Sequence, residues 1–259
     1  MTIAIDVGNT NAVFGKIKDK EILDQLRVKT DLLKNSLNDI SDEIKNKILN
    51  FITNGSDNIL LSGVVPQAML NIKILVEQNN KNQKVILVTT DHLLRLIKVE
   101  LKNPYEVGDD RIINAIASVN KYDSPLIIID FGTATTFDIV NNDGAYAGGL
   151  ICPGINLSLN SLSQGTALLP LIEFKKSDKI IGKSTIGAME SGIYWGYVSL
   201  IEGIVNRLKN ENECHSAKVI ATGGYSQLFK YDVKCIDHFE EDLTLEGLIL
   251  INQNINEWR

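Results

Sequence analysis

Apolar residues along this chain follow two rhythms. In one they form short unbroken runs, and in the other they recur every three or four positions over longer stretches. The first rhythm predicts buried strands and the second predicts amphipathic helices. Strands are expected in the apolar run before Asp6, at Ile22–Val28, Asn58–Gly63, Lys84–Val88, Leu126–Phe131, Thr135–Val140, Ala145–Ile151 and Lys218–Thr222. A helix is expected over Ser36–Ile52, where Leu37, Ile40, Ile44, Ile48, Leu49 and Ile52 keep helical spacing and Ser36 offers a cap. A second runs from Pro66 through Ala68–Val76, with proline suited to its first turn. Further helices are predicted from Asp109 or Asp110 onward, over Gly182–Arg207, from near Tyr225, and over Leu243–Asn254. Three antiparallel strands followed by strands alternating with helices predict a mixed sheet in an α/β fold.

Two of the strand ends look alike. TIAIDVGNTNAVF at Thr2–Phe14 and LIIIDFGTATTFDIV at Leu126–Val140 each carry an apolar strand, then Asp-x-Gly, then hydroxyls, then a phenylalanine (Phe14 and Phe137). Asp6 and Asp130 stand 124 positions apart in 259, close to half the chain. An internal repeat on that scale predicts a duplicated domain, with the halves meeting near Lys121–Pro125, that is 1–122 and 123–259. Gly8 and Gly132 let the backbone bend close to a ligand. Turn amides and the hydroxyls of Thr10, Thr133, Thr135 and Thr136 can donate to phosphate oxygens. A nucleotide clasped between the two copies is the functional reading; a pair of ordinary Thr-rich hairpins is the bland one.

NPYEVGDDR at Asn103–Arg111 places Gly108, Asp109, Asp110 and Arg111 at a loop-to-helix junction. Both acids suit a helix start, where they favour the dipole. One carboxylate suffices to cap, so the other and Arg111 can face a ligand. Thr185 opens the Gly182–Arg207 helix, where its hydroxyl can cap or touch substrate. Gly192, Gly196 and Gly203 each cost about 1 kcal/mol relative to alanine in that helix. Close approach of another backbone and simple core packing both account for them. The strand ending in Gly223–Gly224 has the form of a turn that admits a flat base or sugar.

Composition narrows the class. Hydrophobic residues make up 44% and charged residues 22%, which is ordinary for a globular chain. A net charge of −6 with no basic stripe argues against nucleic-acid binding. Cys152, Cys214 and Cys235 form no CxxC pair and read as reduced thiols. His92, His215 and His238 read as structural or exposed. Met1 leads straight into a strand pattern rather than a secretory leader, and no apolar run is long enough to span a bilayer.

Taken together, DVGNT at Asp6–Thr10, NPYEVGDDR, DFGTATT at Asp130–Thr136, GGLICPG at Gly148–Gly154 and ATGG at Ala221–Gly224 resemble the type III pantothenate kinases. These are members of the actin/sugar-kinase/Hsp70-like ATPase superfamily. The resemblance spans essentially the whole chain. It implies duplicated ribonuclease H-like (actin-like ATPase) domains, each a mixed five-stranded sheet flanked by helices. It also implies ATP-dependent phosphorylation of pantothenate to 4′-phosphopantothenate, the first step of coenzyme A biosynthesis, in a cytoplasmic homodimer with no nucleic-acid or membrane partner. Carried over by position, Asp6, Val7, Gly8, Asn9, Thr10, Asn11, Ala12 and Val13 would cradle the triphosphate, with Asp6 helping to hold Mg²⁺, and Thr133 would contact ATP. Asp110 would accept the proton of the attacking hydroxyl. Gly108, Asp109, Asp110, Arg111 and Thr185 would line the pantothenate site, and Asp130 would bind K⁺ or NH₄⁺. Leu101 stands where relatives often carry tyrosine, and Asp109 where they often carry alanine. A sugar kinase, a polyphosphate-cleaving hydrolase and a regulatory factor are the rival readings.

Overall fold

The computed structural model describes residues 1–19, 21–52, 58–79, 83–211 and 214–255. Its two sheets are built on one plan. In the first, β1 (Thr2–Val7), β2 (Asn11–Lys18), β3 (Glu21–Lys29), β4 (Asn58–Gly63) and β5 (Val85–Leu87) lie in the order β3-β2-β1-β4-β5. In the second, β6 (Leu126–Phe131), β7 (Ala134–Val140), β8 (Tyr146–Pro153), β9 (Lys218–Thr222) and β10 (His238–Phe239) lie in the order β8-β7-β6-β9-β10. In each, the first three strands pair antiparallel and the last two join in parallel. The structure thus has the duplicated ribonuclease H-like architecture with mixed five-stranded sheets.

The central strands are apolar on both faces because helices cover both. Ile3, Ala4, Ile5 and Val7 are wholly buried, as are Leu126–Ile129 in the matching strand. The equivalence runs to single residues. Phe14 pairs with Ile5, and Phe137 pairs with Ile129. Strand β3 is different: Leu26 and Val28 point inward, while Glu21, Asp24, Arg27 and Lys29 are exposed. A bulge interrupts its pairing between Lys16 and Ile17.

The helices are α1 (Asp42–Ile52), α2 (Pro66–Asn79), α3 (Thr90–Leu93), α4 (Asp109–Lys121), α5 (Ile155–Gln164), α6 (Thr185–Leu208) and α7 (Leu243–Ile255). Helix α1 begins later than its apolar spacing suggests. Ser36 caps only a 3-10 turn, Leu37–Asp39, and the carbonyl of Ser41 takes the first amide of the true helix from Lys45, 3.0 Å. Near Tyr225 the expected helix is a single 3-10 turn, Ser226–Phe229. In α6, outside the helix's own backbone, no atom of the described residues lies within 4 Å of a Cβ built on Gly192 or Gly196.

Two compact units emerge. Residues 1–98, 102–117 and 243–259 form one, and residues 99–101 and 118–242 the other. Helix α7, which the repeat assigns to the second half, belongs with the first. The Thr244 hydroxyl donates to Asn114 Oδ1 at 2.8 Å, and the Asn252 amide donates to Thr2 Oγ1 at 3.2 Å. Conversely, Glu100 donates its amide to the Tyr146 carbonyl at 2.8 Å, and Val99 bridges to Tyr146, extending the β8 edge. One core gathers Ile3, Ile5, Val7, Phe14, Ile48, Ile59 and Ile72. The other gathers Ile127, Ile129, Phe131, Phe137, Tyr194, Ile201 and Phe229.

Candidate functional site

The first hairpin carries Asp6 at the end of β1 and opens at Gly8. The amide of Gly8 donates to the Asn11 carbonyl at 3.0 Å, which closes a four-residue tip between Val7 and Ala12. Asn9 and Thr10 are exposed, Val7 and Ala12 are buried, and Asp6, Gly8, Asn11 and Val13 are half-buried. Thr30, 1% exposed and just past β3, braces the tip. Its hydroxyl donates to the Gly8 carbonyl at 2.7 Å and its amide to the Thr10 carbonyl at 3.0 Å. Nothing in the sequence around Thr30 marks this role; only the β2–β3 pairing brings it there.

At the start of α4 the cap is neither aspartate. The Gly108 carbonyl takes the amides of Arg111 at 3.0 Å and Ile112 at 3.4 Å, so Gly108 is the cap and both acids fall within the first turn. Their carboxylates have different partners. Asp109 Oδ1 accepts the Thr90 hydroxyl at 2.8 Å. Asp110 Oδ1 accepts the Arg111 amide at 2.9 Å. A Cβ on Gly108 would lie 2.6 Å from Asp110 Oδ1, so the glycine makes room for that carboxylate. Burial raises the pKa of Asp110, against the Arg111 amide and guanidinium, which pull it down. Burial also raises Asp109; the Thr90 hydroxyl opposes the rise and the charge of Asp110 adds to it. Asp110 is therefore a carboxylate with more than ordinary proton affinity, held at a helix N-terminus, as a general base requires.

In the second unit, Asp130 ends the central part of β6, and Gly132 donates its amide to the Ala134 carbonyl at 3.1 Å. Thr133, at the tip, is exposed. The Gly223–Gly224 pair turns out to serve Asp130. Gly223 adopts φ +88°, and a Cβ there would lie 2.5 Å from Asp130 Oδ1 and 2.7 Å from the Phe131 amide nitrogen. The carboxylate thus lies in a cradle that any side chain at 223 would fill. Its hard oxygen donors, with the neighbouring hydroxyl-bearing strand, fit a monovalent cation. Among the described residues no group of three or more His, Cys, Asp or Glu side chains could hold a metal. Mg²⁺ in phosphoryl-transfer sites needs only one or two carboxylates beside the phosphates, so Asp6 fits that demand.

Thr185 is exposed at the start of α6, where Ser184 caps the helix by accepting the Gly187 amide at 3.1 Å. The capping alternative for Thr185 is thereby removed. None of the three cysteines forms a disulfide. His92 completes a capping box with Thr89 at α3, His238 stacks on Tyr122, and His215 Nδ1 meets the Lys209 carbonyl at 3.2 Å, so all three histidines have structural partners. No described helix is long and apolar enough to cross a membrane.

Comparison with known proteins adds the family. The family model described as type III pantothenate kinase matches residues 2–207. A type III pantothenate kinase of Sulfurihydrogenibium sp. is 40% identical over 258 residues, covering 98% of this chain and 100% of that protein. Another, from Acidiphilium cryptum, is 41% identical over 257 residues, covering 97% and 94%. Among solved structures, a 2-dehydro-3-deoxygalactonokinase from Sinorhizobium meliloti superposes with TM-score 0.59 at 9% identity, over 98% of this chain and 99% of that one. A Baf family transcriptional activator from Campylobacter jejuni gives TM-score 0.58 at 20% identity, over 98% and 99%. At these identities the two structures speak to fold alone. The full-length sequence matches go further: this chain belongs to the type III pantothenate kinase family.

Proposed function

We infer that the chain transfers the γ-phosphoryl group of ATP to the primary hydroxyl of pantothenate, giving 4′-phosphopantothenate on the way to coenzyme A. Family membership supports the reaction, and the Asp110 carboxylate at the glycine-capped start of α4 carries the mechanism. Phosphoryl transfer asks the protein for positioning and charge neutralisation more than covalent chemistry. The amides and hydroxyls of Gly8, Asn9, Thr10 and Asn11 cradle the triphosphate at the open tip, backed by Val7, Ala12 and Val13. Thr133 contacts ATP as well. Asp6 would hold Mg²⁺ and Asp130 would hold K⁺ or NH₄⁺, which would supply positive charge to offset that of the triphosphate. Asp110 orients the attacking hydroxyl and takes its proton, while Gly108, Asp109, Arg111 and Thr185 line the acceptor site.

The working form is a cytoplasmic homodimer. Helix α6 leaves Gly192 and Gly196 exposed, and the same unit exposes Ile151, Leu168, Leu171, Ile180, Ile181 and Ile186. A second copy covering this face accounts for both the glycines and the apolar side chains. The reaction is tested by a coupled assay with Mg-ATP, run with pantothenate and with a panel of sugars, in potassium and then in sodium. Turnover confined to pantothenate and stronger in potassium is expected. Turnover of a sugar, with none of pantothenate, would replace this reading by a sugar kinase.

A further inference from the structure

Asp138 is a carboxylate with no exposure, set in the middle strand of the β6-β7-β8 meander. Its Oδ1 accepts the Tyr146 hydroxyl at 2.7 Å, and its Oδ2 accepts the Thr136 hydroxyl at 2.9 Å. Tyr146 is itself wholly buried. Removing a carboxylate from water is costly unless donors surround it, and an apolar residue would close this part of the sheet at less cost. An acid here therefore calls for a reason beyond packing.

The register supplies one. Thr136 stands directly opposite Asp130 across β6 and β7, so their side chains share a face of the sheet. Asp138, two residues along, lies on that face as well. A threonine hydroxyl has one proton to give. Because that proton goes to Asp138 Oδ2, the Thr136 oxygen offers only lone pairs to anything else. Beside Asp130 the sheet therefore presents two acceptors as neighbours, one of them anionic. Acceptors so placed favour a cation near both.

We propose that Thr136 is a second oxygen ligand of the monovalent cation at Asp130, and that Asp138 is the positioning residue that keeps the Thr136 proton turned away from that cation. This rests on the reading of Asp130 as the cation site. Tyr146 anchors Asp138.

The test is the thermal midpoint of the full chain, titrated with potassium chloride against choline chloride at constant ionic strength, with potassium activation of turnover followed in parallel. The native chain should be stabilised by potassium. In Thr136→Val and Asp138→Asn, half-saturating potassium should rise about 10- to 100-fold, the usual effect of losing a ligand or its orienting partner. Thr136→Ser keeps the hydroxyl and should restore native potassium binding. Tyr146→Phe should lower the midpoint without moving half-saturation. A native chain blind to potassium would overturn the cation reading of Asp130, and this proposal with it. Potassium binding by the native chain that persists unchanged in Thr136→Val would overturn the proposal alone. So would a Tyr146→Phe chain that loses potassium as fully as Thr136→Val, because the cluster would then be acting only as structure. If Asp138→Asn does not fold, the valine and serine variants decide.

Discussion

In the first hairpin four residues, Gly8 to Asn11, join the paired ends Val7 and Ala12; in the second three residues, Gly132 to Ala134, join Phe131 and Thr135. The residue that follows the third strand meets each tip, and it differs in kind. In the first unit it is Thr30, which donates two hydrogen bonds to tip carbonyls. In the second it is Gly154, packed so closely that a Cβ would lie 2.0 Å from the Thr133 carbonyl oxygen and 2.8 Å from that of Gly132. One register has thus been finished in two ways. A longer polar tip held by hydrogen bonds can adjust around a chain of phosphates. A shorter tip held by steric contact fixes the neighbouring Asp130. The long helix that follows the fifth strand diverges as well: α4, which comes after the short α3, opens with Asp109, Asp110 and Arg111, while α7 opens with the buried Leu243 and Leu245. The backbone plan is repeated and the chemistry is not.

That contrast can be broken most sharply at the acid that only one half possesses. Asp110→Asn should lower turnover by about 10²- to 10⁴-fold, the range for a lost general base, with ATP binding retained by calorimetry. Burial raises the native Asp110 pKa above its unfolded value, so the folded chain binds more protons between the two values and loses stability as pH rises through that window. The asparagine variant should lack this loss, and its thermal midpoint at neutral pH should be no lower than that of the native chain. A variant with native turnover would show that the asymmetry of the two helices has no catalytic meaning.

The steric clamp comes next. Gly154→Ala should destabilise the chain by about 3 kcal/mol, the upper part of the usual range for overpacking, read from the urea midpoint. Smallest is the hydrogen-bonded clamp. Thr30→Val should cost about 1 kcal/mol and raise the ATP KM about fivefold with kcat little changed. Equal costs at Thr30 and Gly154 would erase the distinction between the two tips.

Much of this was legible in the residues. Asp6 and Asp130, with Phe14 and Phe137, announced the duplication because both strand ends carry the same residue types at similar offsets. The apolar runs placed the central strands because burial on both faces leaves no room for polar residues. What escaped was decided at long range. Helix α7 has an amphipathic pattern that fits either sheet, and contacts distant in sequence, among them Thr2 and Asn58 with Asn252 and Asn114 with Thr244, settle its place. Family resemblance separated Asp109 from Asp110, but that the Thr90 hydroxyl engages Asp109 depends on a contact 19 residues away. Strand β10, two residues long, has no period to detect. The service of Gly223 to Asp130 needed the parallel pairing of β9 with β6.

The borders of the sheets bear on how copies of this protein can meet. Strands β5 and β10 are three and two residues long, and Val99 and Glu100 cover the Tyr146 end of β8. The long border of β3 carries Glu21, Asp24, Arg27 and Lys29 outward beside a bulge. Each is a device that discourages a foreign strand from zipping on. Ribbon-to-ribbon growth is therefore discouraged at these places, which favours side-chain surfaces as the route by which copies of this enzyme assemble in a crowded solution.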